Sequence, residues 1–272
     1  MAMTNTPKKN TIYNENCLDT MARMPDGFVD LTITSPPYDN IRSYKNGVGD
    51  SWNFEKFMPI ADELYRVTKD GGVVVWVVGD ATIKGSETGT SFKQALWAKE
   101  CGFNLHDTMI YRKKNYIPLT HNRYEQEFEY MFVFSKGKPK TWNPILVPCK
   151  HAGKTNTGNL RNNGSDVLAK KHGHGKKYKK YKIKGNIWEY PVGVEKDRDL
   201  TKKVPAIFPE QLAVDHIVSW TNKFDVVYDP FMGSGTTAVA AVKNKRYYIG
   251  SEIAKEYWDV AQERLNRLFR QY

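Results

Sequence analysis

"FDVVYDPFMGSGTTAVAAVKNKRYYIGSEI", residues 224–253, reads as a strand, a glycine-rich turn, a helix and a second strand closed by an acid. Gly233 and Gly235 allow a tight turn and a close approach of backbone to ligand. Glu252 follows about twenty residues later, the place from which a carboxylate accepts hydrogen bonds from ribose hydroxyls. This is the layout of a nucleotide pocket in an open α/β sheet. Read loosely, the run from Gly233 to Ala238 also fits a dinucleotide fingerprint. Asp229-Pro230-Phe231 argues against that, because a carboxylate at the strand tip repels a pyrophosphate and attracts an ammonium group. Phe231 has two readings, a ring packed on a purine or a core ring under the loop.

Only one further βα unit follows this turn, so the remaining strands come from the N-terminal half and the cofactor half stands last, in permuted order. Strand patterns cover 11–14, 29–34, 72–79, 105–111, 128–134, 225–229 and 246–250. Helical patterns cover 54–69, 91–101, 209–222, 236–244 and 254–270, the first expected to stop at Gly71-Gly72. The alternation predicts an α/β fold with a mostly parallel, seven-stranded sheet. The strand at 29–34 runs into Ser35-Pro36-Pro37-Tyr38, a turn that no hydrogen-bonded ladder absorbs.

The pattern breaks between 138 and about 185 into stretches rich in Gly, Asn and Lys, predicting an irregular insertion with little to bury. Ten Lys and one Arg against one Asp between Lys150 and Lys184 place +10 of the chain's net +11 there. Tyr178 and Tyr181 interleave with these cations, a composition suited to phosphate-backbone contact rather than a merely solvated face. Three widely separated cysteines give no disulfide framework and fit a reducing cytoplasm. The N-terminal residues lack an apolar signal region, and the longest apolar run, 71–79, is too short to span a bilayer. No membrane association is expected.

Together, Thr34-Ser35-Pro36-Pro37-Tyr38 and Asp229-Pro230-Phe231-Met232-Gly233-Ser234-Gly235-Thr236-Thr237 resemble the amino-group DNA methyltransferases, which use S-adenosylmethionine. The order, catalytic motif first and cofactor loop last, is similar to the β class of that family. The resemblance covers about 11–137 and 186–272. It implies a Rossmann-like methyltransferase domain made of 1–137 and 186–272, interrupted by a target-recognition insertion at 138–185. It also implies catalytic roles for Ser35, Pro36, Pro37 and Tyr38. Cofactor contacts fall on Asp229, Phe231, Gly233, Ser234, Gly235, Thr236, Thr237 and Glu252, with Phe208 and Pro209 closing over the methionine end. Where the family usually has Gly-Asp to meet the cofactor adenine, this chain has Glu15-Asn16, which assigns that contact to Asn16.

The chemistry explains the residue types. An exocyclic base amine is a poor nucleophile because its lone pair is delocalised into the ring. Two acceptors, the Ser35 hydroxyl and the Pro36 carbonyl, would draw both N–H bonds and aim the lone pair at the methyl donor. The prolines hold those acceptors still. The amine lies inside a duplex, so its nucleotide must flip out, and Tyr38 offers a face on which to stack it. Ser at the first tetrad position resembles the N4-cytosine pattern, with N6-adenine as the alternative. Lys170, Lys171, His172, His174, Lys176, Lys177, Lys179 and Lys180 are the expected DNA contacts. The partner is double-stranded DNA, with a cognate restriction endonuclease and a monomer or homodimer both left open. The host is bacterial, archaeal or phage.

Rival readings explain less. A nicotinamide-dependent oxidoreductase accounts for the glycine turn but not for Ser-Pro-Pro-Tyr or the basic insertion. A non-catalytic DNA-binding module leaves both intact motifs without a use. Pro148-Cys149 superficially matches the nucleophile of C5-cytosine enzymes, but it begins the insertion instead of following a core strand. Cys149, His151, His172 and His174 could be drawn as a zinc site, which the surrounding lysines oppose. No metal is expected.

Overall fold

The computed structural model describes residues 6–37, 52–116, 122–161, 168–170, 173–193, 197–202, 204–205 and 207–270. In chain order the elements are β1 (Thr11–Tyr13), α1 (Cys17–Ala22), β2 (Val29–Thr34), α2 (Phe54–Val67), β3 (Thr68–Val78), β4 (Thr82–Ile83), β5 (Ser86–Glu87), α3 (Thr90–Glu100), β6 (Asn104–Lys113) and β7 (Phe128–Ser135). They continue with β8 (Leu146–Pro148), β9 (Asn159–Arg161), β10 (Leu168–Lys170), β11 (Tyr181–Ile183), β12 (Ile187–Tyr190), α4 (Arg198–Thr201), α5 (Glu210–Trp220), β13 (Val226–Asp229), α6 (Thr236–Lys243), β14 (Tyr247–Ser251) and α7 (Lys255–Arg270). They fall into two compact units, Met1–Asn143 with Asn186–Tyr272, and Pro144–Gly185.

The larger unit is built on a sheet of order β1-β14-β13-β2-β3-β7-β6-β12. From β1 to β3 all neighbours run parallel, β7 is antiparallel to both β3 and β6, and β12 is parallel to β6. The sheet therefore has eight strands, not the seven expected. The extra one is β12, whose four residues pair Ile187–Tyr190 with Ile110–Lys113 at the edge. Its brevity hid it, although Trp188 and Tyr190 are buried while Ile187 and Glu189 are exposed, as period-two alternation requires.

Central strands covered on both faces must be apolar throughout, which is how "VVVWVV" reads. Val74, Trp76 and Val78 face a core shared with Met21 of α1, Phe57 and Leu64 of α2 and Ala95 of α3. Val73, Val75 and Val77 are also buried, on the opposite side, where α5 packs on β2 and β3 and α6 packs on β13 and α5. Fully burying each such side chain is worth about 1.5–3 kcal/mol before conformational entropy is charged. Helix α2 stops earlier than expected, at Val67, with the Thr68 hydroxyl donating to the Leu64 carbonyl at 2.6 Å. Gly71-Gly72 instead lies inside β3, where the Gly71 N–H bonds the Lys136 carbonyl.

Parallel order brings the carboxyl ends of β1, β14, β13, β2 and β3 to one edge of the sheet. From β13 the chain crosses through α6 to β14 on one side; from β2 it crosses through α2 to β3 on the other. The gap between β13 and β2 is thus a topological switch point, where open α/β sheets bind ligands.

The smaller unit, expected to be irregular, contains two short antiparallel pairs, β8 with β11 and β9 with β10, and a bridge between Thr155 and Lys177. Asn156 is its buried polar centre: its Oδ1 accepts from the Tyr178 hydroxyl and the Gly158 N–H, each at 3.1 Å. One asparagine satisfying local backbone substitutes for the apolar core that this composition cannot supply. Among the described residues of the chain, no helix is long and apolar enough to cross a membrane.

Candidate active site

The tips of β2 and β13 are riveted together. Asp229 ends β13, and its Oδ1 accepts the Thr34 hydroxyl at 2.6 Å and the Phe231 N–H at 3.0 Å, while its Oδ2 accepts the Thr237 hydroxyl at 2.6 Å. Burial pushes its carboxyl up to about 6, against the opposing pull of those hydrogen bonds. The side chain joins three elements, the end of β2, the turn and the first residues of α6.

The glycine turn sits between this rivet and Glu252. Gly233 and Gly235 have φ of +52° and +80°, conformations that L side chains rarely adopt. A Cβ on Gly235 would also come within 3.0 Å of the Ala261 Cβ, so the turn depends on glycine there both in torsion and in space. Glu252, just past β14, accepts the Gly233 N–H on Oε2 and the Ala254 N–H on Oε1, each at 2.8 Å. Burial pushes its carboxyl up to about 7, again opposed by those N–H donors. Asn16 ends the segment after β1 and caps α1, its Oδ1 accepting from the Leu18 N–H at 2.9 Å.

These parts surround one cavity of about 530 Å³. Ser35, Pro36 and Pro37 line it, as do Phe231, Gly233, Ser234 and Thr236 from the turn, with Glu252, Asn16 and Phe208. The structure thus brings the two sequence motifs to a single space. Asp229, Gly235, Thr237 and Pro209 are not on its wall: Asp229 and Thr237 bond each other behind the turn, Gly235 carries the turn into α6, and Pro209 caps α5. An ammonium contact with Asp229 is therefore replaced by an internal role, since both carboxylate oxygens hold protein donors. Phe231 fulfils both of its readings, lining the cavity while packing edge-on against Trp52 at 5.3 Å and Trp76 at 6.2 Å. Tyr38, Lys171 and His172 lie outside the described residues.

Sequence reasoning missed part of the wall. Trp52 lines the cavity, 7% exposed, and its Nε1 meets no hydrogen-bond acceptor among the described residues. Cys17, Ile60, Val204 and Tyr257 also contribute. They carry no chemical motif and read as ordinary helix-face apolar residues; only an aromatic placed just before a helix N-cap set Trp52 apart.

In the smaller unit Lys176, Lys177, Lys179 and Lys180 are exposed and His174 is half-buried, with the Lys180 ammonium over the exposed Tyr181 ring. Lys170 lies in β10. Among the described residues no group of three or more His, Cys, Asp or Glu side chains is placed to hold a metal.

A family profile described as DNA methylase, of the N6/N4 type, matches residues 29–263. The chain belongs to this N6/N4 DNA methylase family. It is 54% identical over 244 residues to the orphan methyltransferase M.BamHII of Bacillus amyloliquefaciens, covering 88% of this chain and 89% of that one. Its fold is that of the cytosine-N4-specific PvuII DNA methyltransferase, with a TM-score of 0.70 at 21% identity over 94% of this chain and 86% of the other. A DNA modification methylase of Thermus thermophilus, solved in complex with S-adenosylmethionine, superposes with a TM-score of 0.62 at 22% identity, covering 94% of each chain. The fold is accordingly the Rossmann-like one of DNA methyltransferases.

Proposed function

We propose that this chain transfers a methyl group from S-adenosylmethionine to the N4 amine of a cytosine flipped out of duplex DNA at a specific site. The observation that carries this reading is the shared cavity: Ser35–Pro37 and the glycine turn, nearly two hundred residues apart in sequence, wall the same space. Its volume, about 530 Å³, is within the range of small-molecule sites. The donor set suits the cofactor as well. Each Glu252 oxygen spends one lone pair on a backbone N–H, leaving the others for a ribose diol.

When bound, S-adenosylmethionine supplies a methyl group on a sulfonium sulfur, open to attack by a nitrogen lone pair. Ser35 Oγ and the Pro36 carbonyl accept the two amine hydrogens and orient that lone pair, and Pro36 and Pro37 keep the acceptors from relaxing. Tyr38 stacks the extruded base and favours the positive charge that develops on it. Asp229 acts at one remove, fixing the turn against the end of β2. Phe208 covers the cavity beside the turn. The Pro144–Gly185 unit supplies DNA contacts through Lys176, Lys177, Lys179 and Lys180, with Lys170, Lys171, His172 and His174 extending the surface.

Support for cytosine N4 comes from the hydroxyl residue at position 35 and from the fold shared with the PvuII enzyme. Incubating the protein with labelled S-adenosylmethionine and mixed-sequence DNA, then digesting the DNA to nucleosides, tests it. N4-methylcytosine is expected. N6-methyladenine would overturn the choice of base, and no transfer would overturn the reading altogether.

A further inference from the structure

Arg264 of α7 is 1% exposed, yet it carries a charge beneath the glycine turn. Its Nη1 donates to the Ser234 carbonyl at 2.7 Å and to the hydroxyl oxygens of both Ser234 and Thr236 at 3.1 Å. Its Nε lies 3.4 Å from Asp197 Oδ2. A buried guanidinium is costly unless its surroundings are arranged for it, so such a contact set restricts the groups that receive it.

The restriction is one of hydrogens. The Ser234 and Thr236 oxygens both accept from Arg264, so neither O–H can point back at the guanidinium. The two hydroxyls lie 3.3 Å apart, and only one of their two hydrogens can serve that contact. Among the described residues neither hydroxyl has another acceptor, and both residues line the cavity. One O–H is therefore directed into the cavity, in search of an acceptor. The surroundings say which kind. This end of the cavity combines the buried cation with the first turn of α6, whose backbone N–H groups favour negative charge, while Glu252 makes the other end unfavourable for it. The one anionic group on an amino-acid-bearing nucleoside is its carboxylate.

We propose that Arg264 is a positioning residue that sets the hydroxyl hydrogens of Ser234 and Thr236, so that the turn reads the amino-acid carboxylate of the cofactor. This rests on the reading of the cavity as the S-adenosylmethionine site.

Calorimetric titration of the DNA-free protein with S-adenosylmethionine and with its decarboxylated form tests it, because the two ligands differ only in the carboxylate. The wild-type protein is expected to prefer the carboxylated ligand by roughly ten- to a hundredfold, the worth of a hydrogen bond to a charged group. Arg264→Gln should shrink that preference to about threefold or less, by weakening the carboxylated ligand alone, and Arg264→Lys should restore most of it. The pair Ser234→Ala with Thr236→Val, in which the guanidinium stays, should lose the preference too, and it decides the matter if Arg264→Gln fails to fold. An unchanged preference in the folded variants, or an equal weakening of both ligands, overturns the proposal. So does loss of the preference in Lys56→Met, which removes another cation of the wall, with Arg264→Gln unaffected. A wild-type protein that binds neither ligand overturns the cofactor reading instead.

Discussion

The two turns that meet at the cavity are stiffened by opposite means. Ser35–Pro37 is held covalently, since two pyrrolidine rings fix φ without help from neighbours. The glycine turn has the freest backbone in the chain and is held from outside, by Asp229 behind it, Glu252 beside it and Arg264 beneath it. A turn that is rigid by itself can offer its hydroxyl and carbonyl to a ligand. A turn that is rigid by attachment must divide its residues, so that Asp229 and Thr237 hold while Gly233, Ser234 and Thr236 face the cavity. The first turn should thus govern the chemical step and the second should govern binding.

Ser35→Ala is the sharpest way to break that division. Removing one of two acceptors that act on the base should lower turnover by about 10²–10³-fold and leave cofactor affinity within about twofold. Single-turnover rates on DNA, set beside calorimetric binding of S-adenosylhomocysteine, check this; a parallel fall in both would mean that the turns do not act separately. Asp229→Ala should instead show first as instability. Two threonine hydroxyls and the Phe231 N–H lose a buried acceptor, costing about 2–4 kcal/mol in urea unfolding. Cofactor affinity should fall along with it. A variant of normal stability would show that the rivet between β2 and β13 is dispensable.

The central sheet was legible because its strands are bounded by turn residues and its buried runs are long enough to read. Edge strand β12 was not, since four residues give too little periodicity to separate from a loop. The end of α2 was misplaced because Gly71-Gly72 looks like a helix stop, while the Thr68 hydroxyl bond to Leu64 that closes the helix has no sequence signal of comparable strength. In the site, Gly233 and Glu252 were readable since turn geometry and carboxylate chemistry demand those residue types. Trp52 and Arg264 were not, because an apolar wall and a buried guanidinium are chosen by what surrounds them in space. Asp229 was read by its charge alone, whereas its use is set by Thr34, whose place beside it comes only from strand pairing. The insertion misled through composition: Gly, Asn and Lys bury little, yet backbone pairing around Asn156 orders it.

Glu252 sharpens the comparison through pH. Its carboxyl, pushed up to about 7 by burial, is partly protonated in the ligand-free protein near neutrality. Ribose hydroxyls donate to the ionised form, so binding must release that proton as pH falls below about 7, and affinity should drop with each further step. Above that value affinity should level off. S-adenosylhomocysteine titrations between pH 6 and 8.5 measure this, and Glu252→Gln should flatten the profile while weakening binding throughout. Ser35→Ala should leave the profile unchanged, because its turn meets the base rather than the ribose.

The smallest effect is expected furthest from both turns. Each of Lys176, Lys177, Lys179 and Lys180 is exposed on a short antiparallel framework and bears on a phosphate only by Coulombic attraction. Replacing any one by Gln should weaken DNA binding several-fold at moderate salt and lower the slope of log K against log salt by about 0.9, equally for target and non-target duplexes. Methyl transfer at saturating DNA should not change. A slope that stays fixed removes that lysine from the interface. A change confined to one sequence would instead assign it to base readout, making this unit a reader of the site and not only its electrostatic anchor.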